Sequence, residues 1–181
     1  MLRITIPAIE RYDEVKNLFI STKEQHLQLE HSLVSISKWE SKWCKPFLSK
    51  ETMTQEETID YIKCMTLTQN VNPETYQSLT NPIIKEINTY INAPMTATWF
   101  SEDKRKGLPS REVITSEIIY YWMITLQIPV EFQKWHLNRL LTLVKVCNIK
   151  NAPAKKMSRK ELLNRNRALN EARRRAANSK G

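Results

Sequence analysis

The stretch from Glu24 to Pro46, EQHLQLEHSLVSISKWESKWCKP, changes hydrophobic period in its middle, and that change sets the fold class. Through His31 the pattern alternates. Leu27, Leu29, His31 and Leu33 fall on one face, and His26, Gln28 and Glu30 on the other, as in a half-buried strand. From about Ser32 the apolar residues Leu33, Ile36, Trp39, Trp43 and Phe47 recur every three to four positions, so a helix starts near Ser32 and ends before Pro46. Trp39 and Trp43 are four apart and share a face, where core packing is the commoner role.

Upstream, LRITI (2–6) and EVKNLFI (14–20) read as strands joined by the loop PAIERYD (7–13). Together with 24–31 they predict a small antiparallel sheet over residues 2–30. Downstream the chain reads as helices. Thr54-Gln-Glu-Glu57 is a capping box opening a helix through Ile59, Ile62 and Met65. Asn72-Pro73 and Asn81-Pro82 each place a cap before a proline at the first helical position, and the second of these helices should stop before Pro94. Ser110 is expected to cap a helix through Val113, Ile118, Trp122 and Met123 that ends near Ile128-Pro129. A last body helix is expected from Val130 to Asn148 with Phe132, Trp135, Leu140, Leu141, Val144 and Cys147 inward, antiparallel to its predecessor at the centre of the core. The stretch MTATWFSEDKRKGLPS (95–110) reads as a loop, with EDKRKG as its solvated turn.

The fold expected is mainly α: a helical bundle over 32–150, a small N-terminal antiparallel sheet over 1–31, and a basic helical tail over 151–181. The tail follows NAPA (151–154) and carries ten basic and two acidic side chains, a net of +8 against +9 for the chain. The body is therefore nearly neutral. Ser158 and Glu161 form a second capping box. Leu162, Leu163, Leu169, Ala172 and Ala176 supply only a narrow apolar stripe, too little to hold a helix firmly by itself.

Composition narrows the chemistry. With Gly107 and Gly181 as its two glycines, the chain can write no glycine-rich phosphate loop. Cys44, Cys64 and Cys147 form no CxxC pair and read as reduced, mostly buried thiols. His26, His31 and His136 form no metal-ligand spacing, and His31 reads as a hydrogen-bonded core histidine. Adjacent carboxylates such as Glu56–Glu57 diverge by about 100° on a helix and read as caps and surface charge. No nucleophile motif is present. The reading is of a protein without catalytic, metal or cofactor residues. The start MLRITIPAIERYDE has too short an apolar part for a signal peptide, and no run approaches the roughly 20 apolar residues of a membrane span. A soluble, intracellular protein is expected.

That leaves the tail. Arg159, Arg165, Arg167, Arg173, Arg174 and Arg175 could neutralise phosphates, but no aromatic follows Trp135 to stack on bases, so nucleic-acid affinity should be weak and non-specific. The stripe is too alanine-rich for a membrane-surface helix. An arginine-rich segment that orders against an acidic, helical protein remains. A solvated basic end is the plain alternative.

The run WHLNRLLTLVKVCNIKNAPAKKMSRKELLNRNRALNEARRR (135–175), with LEHSLVSISKWESKW (29–43), MTATWF (95–100) and ITSEIIYYWMI (114–124), resembles small proteins of tailed bacteriophages, the tail assembly chaperones. The resemblance spans Leu27 to Gly181. It implies a non-enzymatic protein of the host cytoplasm that keeps the long, helical tape-measure protein soluble until tail-tube subunits polymerise around it, and in many such phages a frameshifted longer product. Self-association is a further partner it admits. The family has no strict binding motif, so no contact residue is carried over. A binder of many stretches needs shallow apolar grooves, and Trp99 and Phe100 are the first candidates for one, although filling the core is the commoner role for such a pair. The N-terminal strands depart from an all-helical family pattern and keep open a virion structural role, as a head–tail connector or minor tail protein. A nucleic-acid-binding module acting through the tail is the third reading.

Overall fold

The computed structural model describes residues 1–13, 18–49, 52–100, 113–153 and 159–178, with backbone alone for 9–13 and 18–22. Four strands open the chain: β1 (Leu2–Ile6), β2 (Ile9–Asp13), β3 (Leu18–Thr22) and β4 (Gln25–Leu29). β1 pairs with β4 and β2 with β3, both antiparallel. The two ladders keep one register, Leu2 opposite Leu29 and Ile9 opposite Thr22, so paired residue numbers add to 31 throughout. They are two halves of one long hairpin, interrupted at residues 7–8 and 23–24, where Pro7 offers no N–H to a ladder. The expected loop at 7–13 is thus corrected: residues 9–13 are strand because the register of the first ladder carries on past the proline. Part of the expected strand 14–20, residues 14–17, lies outside the described residues.

β4 bears out the alternation of its sequence, with Leu27 and Leu29 buried and their neighbours turned out. Its other edge is covered by the end of α2 (Gln55–Met65): Glu30 N donates to Met65 O and Leu67 N to Gln28 O, at 2.9 and 2.8 Å.

α1 (Leu33–Trp43) starts where the period changes. Ser32 caps it and Ser35 returns a hydrogen bond to the Ser32 backbone. Cys44 ends it in the left-handed conformation, φ 52°, which costs a residue with a Cβ. Buried Leu33, Ile36 and Trp39 make α1 the centre of the body, packed on α2 and on α4 (Ser116–Thr125). α2 begins at the expected capping box, Thr54 with Glu57. Asn72-Pro73 opens a 3-10 turn, Pro73–Ser78, and α3 (Asn81–Asn92) starts with Thr80 rather than Asn81 in the cap position.

Two expected helices are revised. α4 starts at Ser116, so Val113 and Ile114 precede it; Ser110 lies outside the described residues. Thr115 supplies no side-chain cap, and Glu40 of α1 does so instead, its Oε2 accepting from Ser116 N at 2.7 Å. The last body helix is broken into a 3-10 turn, Val130–Lys134, and α5 (Leu137–Asn151). The break falls where His136 pairs with Ser32 and Leu137 N donates to His31 O at 2.8 Å, because sheet-like pairing claims backbone groups that a continuous helix would use. Leu140 and Val144 are buried, while Phe132, Trp135, Leu141 and Cys147 are half-buried. The expected pair of last helices is not the centre of the core; α1 holds that place.

The chain divides into two compact units, 1–148 and 149–181. The second holds α6 (Arg159–Ala176), of which no residue is buried. Among the described residues no helix is long and apolar enough to cross a membrane.

Candidate partner-binding surfaces

Trp99 is 82% exposed, so it does not fill the core. Phe100 is half-buried, with Lys145 Nζ of α5 4.1 Å from its ring centroid. The EDKRKG loop that follows lies outside the described residues. On α4, Tyr121 and Ile124 are also exposed, at 64% and 75%, one turn apart. Further round the body, Phe132 stacks on Trp135 at 3.9 Å and the Arg139 guanidinium lies 4.1 Å from the Trp135 ring. Trp135, Arg139, Lys134, Tyr90 and Met95 line a shallow recess of about 270 Å³. A second recess, about 410 Å³, is walled by Phe47, Met53, Tyr61, Ile62, Ile87 and Ile91 of α2, α3 and the loop after α1.

In the second unit, Arg159, Arg165, Arg167, Arg173, Arg174 and Arg175 are all exposed along α6. Its three leucines are exposed as well: Leu162 49%, Leu163 59% and Leu169 46%. The six arginines are therefore collected on one element, as the sequence suggested. Trp99 and Phe100 belong to the other unit.

Beneath the surface is a polar cluster that the sequence showed only in part. His31 is buried, as expected, and its ring meets that of His136 at 5.1 Å. His136, expected beside Trp135 on a long helix, sits instead buried at the break before α5. Its Nε2 donates to Tyr90 O at 3.1 Å and its Nδ1 accepts from Asn138 N at 3.3 Å, which assigns the neutral tautomer with the proton on Nε2. Tyr61 OH shares a 2.5 Å hydrogen bond with His31 Nδ1. Burial raises the Tyr61 hydroxyl, so it keeps its proton and is the donor. Burial, and then the neighbouring His136, pushes His31 down to about 3. Burial lowers His136 too, against the opposing hydrogen bond to Tyr90. Tyr90 OH donates to Glu30 Oε1 at 2.8 Å. These bonds tie the end of β4 to α2, α3 and α5.

A second polar seam joins α1 to α2. Trp39 Nε1 donates to Glu57 O at 3.0 Å, and Trp43 Nε1 to Asp60 Oδ2 at 2.9 Å. The two indoles stack at 6.3 Å, the shared face expected of them. Lys42 pairs with Asp60 and Lys45 with Glu57, the latter at 2.6 Å. Burial pushes the Asp60 carboxyl up, but hydrogen bonds from Lys42 and Trp43 outweigh it and hold the carboxyl low. Glu57, read from sequence as cap and surface charge, is a cap but is buried. The cysteines are free, yet Cys44 is exposed and Cys64 and Cys147 half-exposed, so the expectation of mostly buried thiols is corrected.

Among the described residues no group of three or more His, Cys, Asp or Glu could hold a metal ion. The groups that do converge, His31, His136, Tyr61 and Tyr90, are engaged with each other or with backbone, an arrangement suited to fixing elements rather than to attacking a substrate. Comparison with protein-family models, with curated proteins and with solved structures finds no match for this chain.

Proposed function

We propose that this protein is a non-enzymatic tail assembly chaperone of a tailed bacteriophage, acting in the host cytoplasm to hold the tape-measure protein soluble until the tail tube forms around it. The observation that carries the reading is Trp99, whose indole is 82% exposed on a folded body. Tryptophan, with tyrosine and arginine, is enriched among the residues that carry most of the energy of protein interfaces. With exposed Tyr121 and Ile124 and the apolar recess walled by Phe47, Met53 and Ile91, the described residues of the body offer several modest adhesive sites. That suits a partner whose apolar stripe repeats along its length. The sequence resemblance points the same way. A structural role in the virion neck or tail is the second reading, favoured by the long N-terminal hairpin, whose outer half has two strand edges able to pair with another chain.

Mass spectrometry of purified virions separates the two. A chaperone is absent from particles that contain the tape-measure protein. Recovery of this chain at a fixed ratio to other virion proteins refutes the chaperone reading in favour of the structural one.

A further inference from the structure

Among the described residues, α6 is the α-helix that contributes nothing to a core. None of its residues is buried. Its 18 residues include seven basic and two acidic side chains, a net of +5. Arg159, Lys160, Arg167, Arg173, Arg174 and Arg175 make no ion pair with a described residue. Isolated helices need more than about 12–15 residues to persist in water even when alanine-rich, and over these 18 residues Asn164, Asn166 and Asn170 lower the propensity.

The apolar residues are nevertheless ordered in space. Leu162, Leu169 and Ala176 are seven apart, and at about 100° per residue they form one line along the helix, with Ala172 beside them. Arg173 lies on one side of that line and Arg175 on the other. A helix that bound only phosphates would gain nothing from leucines in register. A helix that seats in a protein groove needs that seam, with cations at its borders to meet acids on the groove's rim.

We infer that the Leu162–Leu169–Ala176 edge of α6 is a docking edge for a protein groove with an apolar floor and an acidic rim, and that α6 becomes firmly helical when it seats there. The inference stands apart from the chaperone reading, since it concerns the chemistry of the partner surface and not its identity.

The test uses the full chain and a synthetic partner helix with leucine at its a and d positions and glutamate at e and g, with a glutamine version as the uncharged control. Binding is followed by calorimetry and by far-ultraviolet circular dichroism at near-physiological salt. The expected result is binding of the acidic helix with a gain in helicity. Affinity should fall at least ~10-fold in the Leu162→Ala/Leu169→Ala chain, whose charge is unchanged, and again in the chain carrying Arg173→Gln, Arg174→Gln and Arg175→Gln. Both variants alter exposed positions on a unit separate from the body, so the body's own thermal transition should not move. Equal affinity of the leucine variant and the parent overturns the inference, because charge alone then accounts for binding. So does tighter binding to a DNA duplex of about 20 base pairs than to the acidic helix, with the steep salt dependence of phosphate neutralisation.

Discussion

Acidification should destabilise the body through His31, by an amount the structure sets. The imidazole is 2% exposed, shares a hydrogen bond with Tyr61, lies beside Phe47 and faces His136, which is itself kept neutral by burial. Its pKa falls from an ordinary 6.5 to about 3. The unfolded chain takes up a proton near pH 6.5, whereas the native state refuses it until about pH 3. His31 thus costs nothing above pH 6.5 and progressively destabilises the fold as pH falls from 6.5 towards 3. At about 1.4 kcal/mol per pH unit, the loss by pH 5 is about 2 kcal/mol. Asparagine at this position can still accept from Tyr61 but cannot titrate. The His31→Asn protein should be less stable at pH 7.5 by about 1–2 kcal/mol. Between pH 7.5 and 5, however, it should lose about 2 kcal/mol less than the parent. Urea unfolding at a series of pH values, followed by circular dichroism, measures both. Parallel pH profiles for the two proteins refute the reasoning, as does a histidine resonance assigned to His31 that titrates near 6.5.

Glu40→Gln replaces a carboxylate that accepts from Phe47 N and Ser116 N with an amide that aims hydrogens at one of them; denaturant unfolding should show a loss of about 1–3 kcal/mol. Cys44→Gly relieves the left-handed cap of α1 and should raise stability by up to about 1 kcal/mol, since the thiol is exposed and the αL penalty of a Cβ exceeds the entropic cost of glycine. Trp99→Ala should leave the thermal midpoint within the small range of surface substitutions, about 0.5 kcal/mol, while weakening association with any apolar helical partner in pull-down.

The sequence made most of this fold legible where local chemistry decides structure. Ser32 and Thr54 cap the helices they precede, and Leu27 and Leu29 alternate into the core, because each outcome rests on neighbours within four residues. It misled where a distant group decides. The strand at 9–13 follows from a register fixed by residues 2–6 and 25–29. The start of α4 is set by Glu40, 76 positions away in the chain. The break before α5 is set by Ser32, which pairs with His136, and by His31, whose carbonyl accepts from Leu137 N. Of the candidate site, the arginines of α6 were legible as a charge run, but whether Trp99 pointed in or out was not, since aromatic residues in both roles look alike in a single sequence. The meeting of His31 with His136 had no signal at all: the residues are 105 positions apart and neither carries a motif.

The central proposal, that this body covers the apolar surface of a phage tape-measure protein, is tested most directly by producing the tape-measure protein of the proposed phage alone and together with this chain, and measuring how much of it stays in the supernatant after high-speed centrifugation. The account predicts a several-fold rise in soluble tape-measure protein, co-purification of the two chains, and loss of much of that gain with Trp99→Ala. An unchanged soluble fraction with both proteins well expressed contradicts it.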